Sequence, residues 1–225
     1  MPSTNPQSET VPTEREPLTA SSIPDTRYPI PDTRFVPAPL VVVSGPSGVG
    51  KTTVVEELLK LGSLPLRRAV TATTRQPRPG EVDGVSYHYW SADRFRAAVD
   101  DGRMLEWAMV FSTDFYGTPR SEVDPYRAAG IGVILVIDVQ GAARVRELCP
   151  DLLSVFIRPP DVVALEARLR GRGDVAEDRV LRRLETARSE LAQADEFDHT
   201  IVNADLGQAV RALEVLVTDR FNTRR

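Results

Sequence analysis

Apolar runs alternate along this chain with segments in which apolar positions recur every three or four residues. The runs predict strands at residues 40–44, 131–139, 152–157 and 199–202. The first three are apolar almost throughout, which is typical of strands buried on both faces. Helical spacing predicts helices over about residues 51–61, 140–148, 161–170, 177–192 and 205–219. Strands that alternate with helices indicate a three-layer α/β fold, in which a parallel sheet is flanked by helices.

Residues 72–119 interrupt this alternation, because they are polar and contain many turn residues. Within them, Ser91 is a predicted N-cap for a helix over about residues 92–101. At their end, Pro119 is predicted to open a helix that continues to about residue 129. We therefore predict a small inserted subdomain at about residues 72–119. The core around it is predicted to consist of residues 40–71, 120–167 and 191–220.

The first 39 residues differ in composition from the rest of the chain. They hold nine of the 18 prolines and show no helical or strand period, so we predict a disordered tail. Within it, residues 23–28 and 30–35 share the pattern Ile-Pro-Asp-Thr-Arg followed by Tyr or Phe. This repeat is either a short docking motif for a partner or a duplication without a function. Residues 221–225 are predicted to form a C-terminal tail.

Charge and cysteine content exclude several classes of protein. The formal net charge is -4, whereas general binders of nucleic acid or of membrane surfaces are usually basic, so neither partner is expected. No apolar run approaches the length of a transmembrane helix, and the single cysteine, Cys149, permits no intrachain disulfide. The N-terminus lacks the pattern of a secretory signal, so we expect a cytoplasmic protein. Whether it is a monomer or a homodimer stays open.

A glycine-rich segment between the first predicted strand and the first helix matches the phosphate-loop pattern G-x-x-x-x-G-K-[ST] at every fixed position. The segment consists of Gly45, Pro46, Ser47, Gly48, Val49, Gly50, Lys51 and Thr52. Glycines let backbone N–H groups close around phosphate oxygens, and the helix N-terminus adds positive potential. Lys51 is expected to reach the β- and γ-phosphates, and the Thr52 hydroxyl to bind Mg²⁺. The sequence therefore predicts binding of a nucleoside triphosphate with magnesium.

A second cluster of candidate residues lies at the start of the predicted insert. Arg75 and Arg78 are three residues apart in a loop stiffened by proline and glycine, and two guanidinium groups held together suit a dianionic phosphate. Tyr87 lies just downstream and is expected to add a hydroxyl group. These residues predict a site for the phosphate group of a second substrate.

The motifs together resemble those of guanylate kinases over about residues 40–220. After the phosphate loop, residues 73–87 match the string T-T-R-x-P-R-x-G-E-x-x-G-x-x-Y. Further matches follow in order at residues 106–108, 116–118, 137–141, 171–173, 183–184 and 201–203. The resemblance implies transfer of the γ-phosphoryl group of ATP to GMP, and to dGMP, with Mg²⁺. Such an enzyme serves guanine nucleotide synthesis and GMP recycling.

The resemblance also assigns roles to residues by position. Those that would hold the phosphate group of GMP are Arg75, Arg78, Tyr87 and Tyr116. Glu106 and Asp138 would accept hydrogen bonds from guanine N1–H and N2–H₂, and Thr71 and Thr118 would contact the base. Carboxylates only accept hydrogen bonds, so such a site suits the donors on the edge of guanine.

For the donor side, the resemblance implies a closing helical lid at about residues 168–190. Arg168, Arg172 and Arg183 would lie over the donor phosphates, and Arg172 and Asn203 would lie near adenine. Charge spreads over the transferring oxygens in phosphoryl transfer, so arginines carried by a lid would neutralise it. The other lid arginines, among them Arg170, are expected to form ion pairs with neighbouring carboxylates.

The chain departs from the family pattern at three places, and two other functions stay open. Thr71 replaces the usual serine, Val136 stands where an acid is frequent, and the acidic stretch at residues 174–178 lacks one glutamate. One alternative is a scaffold that binds phosphopeptides, against which the intact Lys51 and Thr52 argue. The other is a kinase of the same fold that acts on a sugar phosphate or on another nucleotide.

Overall fold

A parallel sheet forms the centre of the protein. The structure, a computed structural model, describes residues 36–110, 113–171 and 177–223. The strands of this sheet are β1 (Leu40–Ser44), β2 (Leu66–Arg68), β7 (Gly132–Val136), β8 (Leu153–Arg158) and β9 (His199–Val202). Their spatial order is β2-β7-β1-β8-β9, and every neighbouring pair is parallel. The first strand in the chain, β1, therefore lies in the middle of the sheet.

Helices cover both faces of this sheet. On one face, Val41 and Val43 of β1 share an apolar cluster with residues of α1 (Lys51–Leu61) and α7 (Leu206–Asn222). On the other face, Leu40 and Val42 share a cluster with residues of α4 (Val139–Leu148). Successive residues of a strand point to opposite faces, so one apolar run serves both layers. The predicted three-layer α/β fold with a parallel sheet flanked by helices is confirmed.

A second sheet lies between β2 and β7 in the sequence. It has the order β4-β3-β6-β5, and its strands are β3 (Ala72–Thr73), β4 (His88–Tyr89), β5 (Met104–Val110) and β6 (Asp114–Pro119). Helix α2 (Ala92–Asp100) buries Phe95 and Ala98 against this sheet, together with Ala72 and Met104. The side chain of Ser91 caps α2 by accepting a hydrogen bond from the backbone N–H of Arg94, as predicted.

Helices α5 (Val162–Arg170) and α6 (Glu177–Leu191) pack against each other through an apolar cluster of their own. Arg170 forms ion pairs with Glu166 at 2.8 Å and Glu177 at 2.5 Å, which confirms the pairing predicted for this arginine. Arg172 and residues 174–176 of the acidic stretch lie outside the described residues, as do residues 1–35 of the predicted tail.

The structure corrects the helix predicted after Pro119. This proline ends β6, opposite Met104 of β5, and is followed by a 3-10 helix at Arg120–Glu122. Helix α3 (Asp124–Ala128) begins only afterwards, with Pro125 in its first turn. Helical structure does start after Pro119, but as two short helices and not as one. The prediction missed the strand that ends at Pro119, because this strand depends on pairing with β5, which sequence spacing does not reveal.

Two residues before the predicted boundary at residue 40 already pack against the core. The backbone N–H of Ala38 donates to the carbonyl oxygen of Arg127 at 2.9 Å, and Arg127 Nε donates to the carbonyl oxygen of Ala38 at 2.8 Å. Ala38 and Pro39 are buried, so these two residues of the predicted tail belong to the packed structure. Within the described ranges, none of the helices has both the length and the apolar composition to cross a membrane.

Candidate active site

The phosphate loop joins β1 to α1 and has a shape that requires glycine at two positions. Gly45 has a φ of +137°, and a Cβ there would lie 2.1 Å from the carbonyl oxygen of Ile157. Gly50 has a φ of +97° and precedes α1 as its N-cap. The loop therefore turns closely around the N-terminus of α1, where unpaired backbone N–H groups and the helix dipole favour an anion.

Lys51 lies at the first position of α1 and reaches back over the loop. Its Nζ donates hydrogen bonds to the carbonyl oxygens of Gly45 at 2.5 Å and Pro46 at 3.0 Å. Thr52 follows it and is exposed at the start of the helix. A cation and a hydroxyl group thus lie at the mouth of the loop, where the phosphate groups of a nucleotide would bind.

Two of the predicted donor-side residues, Arg168 and Asn203, meet at the base of the same loop. Asn203 Nδ2 donates to the carbonyl oxygen of Val49 at 2.8 Å. Arg168 donates from Nη1 to the same oxygen at 3.2 Å and from Nη2 to the carbonyl oxygen of Asn203 at 2.8 Å. Beside them lies a cavity of about 520 Å³, which is within the size range of small-molecule sites. Its lining residues are Gly48, Val49, Gly50, Thr53, Arg168, Gly171, Asn203, Ala204 and Leu206.

Two carboxylates converge from different parts of the fold, one from the second sheet and one from the start of α4. Glu106 on β5 lies directly opposite Thr118 on β6, whose hydroxyl donates to Glu106 Oε1 at 2.7 Å. Asp138 is the N-cap of α4 and accepts from the backbone N–H of Gly141 at 2.7 Å. A Cβ at Gly141 would lie 3.2 Å from Glu106 Oε2 and 3.4 Å from Asp138 Oδ1. Because Gly141 has no side chain, the two carboxylates come together around it.

The environment of Glu106 changes its protonation. Burial raises the pKa of its carboxyl group to about 7, and the negative charge of Asp138 acts in the same direction. The hydrogen bond from Thr118 and the positive charge of Arg144 oppose this increase in the pKa. Glu106 therefore titrates near neutral pH, and a ligand that donates hydrogen bonds to it favours the ionised form.

Arg75 is held by several partners at the edge of the second sheet. Its Nε donates to the hydroxyl oxygen of Tyr116 at 3.0 Å, and its Nη2 donates to the carboxylate of Glu81 at 2.9 and 3.0 Å. The rings of Tyr87 and Tyr89 lie beside it, with their centroids 5.4 and 5.9 Å from the guanidinium carbon. The arrangement fixes a planar group of donors in one orientation, as recognition of a phosphate requires.

Glu81 and Tyr89 are site residues that the sequence analysis did not select. Glu81 accepts from Arg75, from the backbone N–H of Arg78 at 2.7 Å and from the Tyr89 hydroxyl at 2.7 Å. Together these contacts lower the pKa of Glu81 to about 2, with Arg75 as the main cause. Burial and the carboxylate of Glu81 raise the pKa of Tyr89 to about 12. For Tyr89, the available signal was its spacing of two residues from Tyr87, which places both rings on one side of an extended segment.

The other predicted residues lie in different surroundings. Thr71 precedes β3, and its carbonyl oxygen accepts a hydrogen bond from the backbone N–H of His88 at 2.9 Å. Arg78 lies in an exposed part of the loop, and Arg183 is half-buried on α6. Val136 packs against the apolar cluster beneath α1 and α7, so β7 ends without an acid at that position.

A phosphate-loop motif that follows the middle strand of a parallel sheet and opens a helix, beside a smaller second sheet, is the arrangement of a P-loop kinase. The guanylate kinase family profile matches residues 38–220. The chain therefore belongs to the guanylate kinase family, whose members are ATP:GMP phosphotransferases.

Individual relatives agree with this assignment. The chain is 49% identical over 175 residues to guanylate kinase of Synechococcus sp. (strain CC9902), covering 78% of this chain and 92% of the relative. It is 48% identical over 182 residues to guanylate kinase of Gloeobacter violaceus, covering 81% and 88%. The crystal structure of guanylate kinase from Anaplasma phagocytophilum superposes with a TM-score of 0.68 at 30% identity, covering 84% and 89%.

Proposed function

We propose that this protein transfers the γ-phosphoryl group of ATP to GMP, giving ADP and GDP. The observation that carries the proposal is the convergence of Glu106 and Asp138 around Gly141. Two acceptor-only groups held together fit the adjacent N1–H and N2–H₂ donors of guanine. Adenine presents an acceptor at N1, so it would leave a buried carboxylate unpaired, which is the strongest kind of discrimination that a polar site offers.

The phosphate group of GMP is proposed to bind at Arg75. A dianionic phosphate fits the guanidinium group better than one carboxylate does. It would therefore either share the donors of Arg75 with Glu81 or displace Glu81 from them. Arg78 extends from the same loop, and Tyr87 and Tyr116 supply hydroxyl groups. Thr71 precedes the adjoining strand β3 and is proposed to contact the base, together with Thr118.

On the donor side, the phosphate loop and Lys51 are proposed to hold the ATP phosphates. The cavity beside Asn203 is of a size to take adenine. Arg168, Arg172 and Arg183 are proposed to approach the donor phosphates when the lid at about residues 168–190 closes. Catalysis would then consist of positioning the two substrates and neutralising charge on the transferring oxygens, with no general base.

Magnesium is proposed as the metal that accompanies ATP. The described part of the chain contains no group of three or more His, Cys, Asp or Glu side chains placed to hold a metal ion. Thr52 offers one exposed hydroxyl oxygen beside the phosphate loop. This donor set fits Mg²⁺, which binds oxygen, keeps several waters and is usually held by substrate phosphates with few protein ligands. Bound Mg²⁺ would neutralise charge on the ATP phosphates.

The test is a coupled ADP-release assay on the full chain with ATP and Mg²⁺. GMP, dGMP, AMP, CMP and UMP are offered separately, and rapid turnover is expected only with GMP and dGMP. Lys51→Ala is expected to abolish turnover while the fold is retained. Lys60→Ala is the matched control, because Lys60 lies on the same helix and pairs only with Glu57 in the described contacts.

Absence of turnover with GMP would contradict the proposal. A panel of sugar phosphates and a phosphopeptide-binding measurement would then test the two alternative functions. Deletion of residues 1–35 is expected to leave turnover unchanged. A cytoplasmic location is a separate proposal, which cell fractionation tests. Light scattering tests whether the protein is a monomer or a homodimer.

A further inference from the structure

The chain passes from the central sheet to the second sheet once and returns once. Residues 69–71 join β2 to β3, and residues 120–123 join β6 to α3. The phosphate loop belongs to the central sheet, whereas Arg75 and Glu106 belong to the part of the chain between the two connections. Contacts at these connections therefore affect how the two halves of the proposed site face each other.

Glu122 lies in the second connection and bonds the first. Its Oε2 accepts from the backbone N–H of Val70 at 3.1 Å and from Nη2 of Arg67 on β2 at 2.7 Å. Its Oε1 lies 2.9 Å from Nε2 of His88 on β4, which donates because a carboxylate only accepts. The side chain of Glu122 is 14% exposed, so water competes little for these bonds. One carboxylate thus ties β2 and both connections to the outer strand of the second sheet.

The core side of this cluster is held by further contacts. Arg67 also donates from Nη1 to the carbonyl oxygen of Glu122 at 2.6 Å. The guanidinium carbon of Arg67 lies 3.7 Å from the centroid of the Tyr126 ring on α3. Glu122 is therefore fixed to the core through both its backbone and its side chain. Its bond to His88 holds the second sheet against that fixed point.

The opposite edge of the second sheet is held in a different way. Leu105 on β5 is 3% exposed and belongs to the apolar cluster beneath α4. Glu106 follows it directly, so the carboxylate pair around Gly141 lies beside this apolar contact. The edge of the sheet proposed to bind guanine is therefore anchored without Glu122.

The edge that depends on Glu122 is the one proposed to bind phosphate. His88 stands between Tyr87 and Tyr89, whose ring centroids lie 5.4 and 5.9 Å from the guanidinium carbon of Arg75. Loss of the Glu122 carboxylate would release this edge from the core, while the β5 edge stays packed. The sheet could then turn about β5 and carry Arg75 away from its place opposite the phosphate loop.

We propose that Glu122 is a positioning residue for phosphoryl transfer, which fixes the edge of the second sheet that carries Arg75 relative to the phosphate loop. It acts through His88 and Val70 and touches neither substrate. Transfer requires the reacting atoms to lie about 3–3.5 Å apart, so a small displacement of the acceptor phosphate slows the chemical step. The inference rests on the proposed function for the identity of the two substrates.

The first experiment compares Glu122→Ala, Glu122→Gln and the control Asp198→Ala in the full chain. The carboxylate of Asp198 also accepts from a backbone N–H and from a side chain, both of Ser154, at 2.7 Å. Asp198 precedes β9, at the edge of the central sheet opposite to the phosphate loop. For each protein, kcat and the KM of each substrate are measured below its unfolding temperature, and GMP affinity is measured by calorimetry.

Glu122→Ala is expected to lower kcat about tenfold or more, while the KM for GMP and the KM for ATP change less than about threefold. The affinity for GMP is expected to be preserved, because the residues of the second sheet that contact GMP move together. Glu122→Gln keeps one acceptor oxygen, so its kcat is expected to fall between those of Glu122→Ala and the unmodified protein. Asp198→Ala is expected to keep kcat within about twofold.

A second experiment measures the orientation of the second sheet without turnover. Spin labels are attached to Lys60→Cys on α1 and Asp93→Cys on α2, in a Cys149→Ser background. The two native side chains are 70% and 96% exposed, so labels there do not disturb the packing. Pulsed electron paramagnetic resonance gives the distribution of distances between the labels. This distribution is expected to broaden in Glu122→Ala and to stay unchanged in Asp198→Ala.

The proposal is overturned if Glu122→Ala keeps the kcat of the unmodified protein, or if a higher KM for GMP accounts for its loss of activity. An unchanged distance distribution in Glu122→Ala, or an equal loss of kcat in Asp198→Ala, also overturns it. If Glu122→Ala does not fold, His88→Ala replaces it, since this variant removes the bond to the second sheet and leaves those to Arg67 and Val70. Absence of GMP turnover in the unmodified protein would contradict the proposed function, whereas the distance measurement would still test Glu122.

Discussion

The hydroxyl of Thr118 donates a 2.7 Å hydrogen bond to Oε1 of Glu106, its direct partner across the β5–β6 ladder. One carboxylate oxygen is therefore occupied within the second sheet. The other, Oε2, lies toward Gly141 and Asp138. Strand pairing thus orients Glu106 before any ligand binds, so a guanine base would meet an acceptor that is already in place.

The affinity for GMP is expected to depend on the ionisation of Glu106. Its pKa is raised to about 7 by burial, and only the ionised carboxylate can accept from Thr118 at one oxygen and from guanine at the other. The KM for GMP is therefore expected to fall by up to about tenfold as the pH rises from 6 to 8. The KM for ATP should stay flat over this range.

Glu106→Gln provides the control for this pH profile, because the phosphate group of GMP itself titrates near pH ~6. The variant is expected to raise the KM for GMP and to lose the component of the profile that belongs to Glu106. The folded state binds this proton more tightly than the unfolded state, so ionisation of Glu106 lowers stability as the pH rises from about 4.5 to about 7. An identical pH profile in both proteins would contradict the assignment.

Arg75→Lys is expected to raise the KM for GMP about tenfold or more, with little change in the KM for ATP. Lysine keeps the positive charge, but it lacks the planar guanidinium group that donates to Tyr116 and to Glu81 at the same time. Steady-state kinetics with each substrate varied in turn measures the effect. Arg94→Lys is the matched control, because Arg94 stacks on Trp90 at 4.4 Å and lies outside the proposed site. A similar rise in both variants would indicate a general loss of structure.

Gly45→Ala is expected to reduce the free energy of unfolding by about 2 kcal/mol or more. The new Cβ would overlap the carbonyl oxygen of Ile157 in β8, and alanine would also be strained at a φ of +137°. Gly80→Ala introduces only the backbone strain, because Gly80 has a φ of +85° and no atom lies within 4 Å of the position of a Cβ there. Its expected loss is about 1 kcal/mol. Urea unfolding measures both, and equal losses would rule out the overlap as the cause.

Glu122 joins the two sheets and is expected to stabilise the fold in a pH-dependent way. It accepts from Arg67 at 2.7 Å, from the backbone N–H of Val70 at 3.1 Å and contacts His88 Nε2 at 2.9 Å. Burial disfavours its charge, but these partners outweigh burial and lower the pKa of Glu122 to about 2. The stabilisation is therefore present above pH 4.5 and is lost as the pH falls through about 2.

Glu122→Gln is accordingly expected to cost about 1–3 kcal/mol at pH 7, because it leaves buried donors unpaired. The difference from the unmodified protein should shrink as the pH falls from 4.5 toward 2. Glu57→Gln, in the exposed pair with Lys60, should not shift the unfolding midpoint at either pH. A difference for Glu122→Gln that is constant with pH would show that packing, not ionisation, is responsible.

The central sheet could be predicted from the sequence because β1, β7 and β8 are apolar almost throughout. β2 was not predicted, since Leu66–Arg68 is half-buried at the sheet edge and its Arg67 depends on Glu122, a distant residue. The two-residue strands β3 and β4 are too short to show a period. These strands form because β3 pairs with β4 on one side and with β6 on the other, which completes their backbone hydrogen bonds.

The candidate site was predictable where residue type and local spacing carry the chemistry, as in the phosphate loop. Glu81 was not selected, because a glutamate acquires a role only from the partners that the fold brings to it. For Glu81 these partners are Arg75 and Tyr89. No periodicity in the chain records such contacts.

The position of β1 between two parallel neighbours has a consequence for hydrogen exchange. All five residues of β1 are buried, so its amide protons can reach solvent only when the whole domain unfolds. The strands β3 and β4, of two residues each, can open with far less disruption. On warming, the substrate side that carries Arg75 should therefore lose its order at temperatures at which the phosphate loop is still intact.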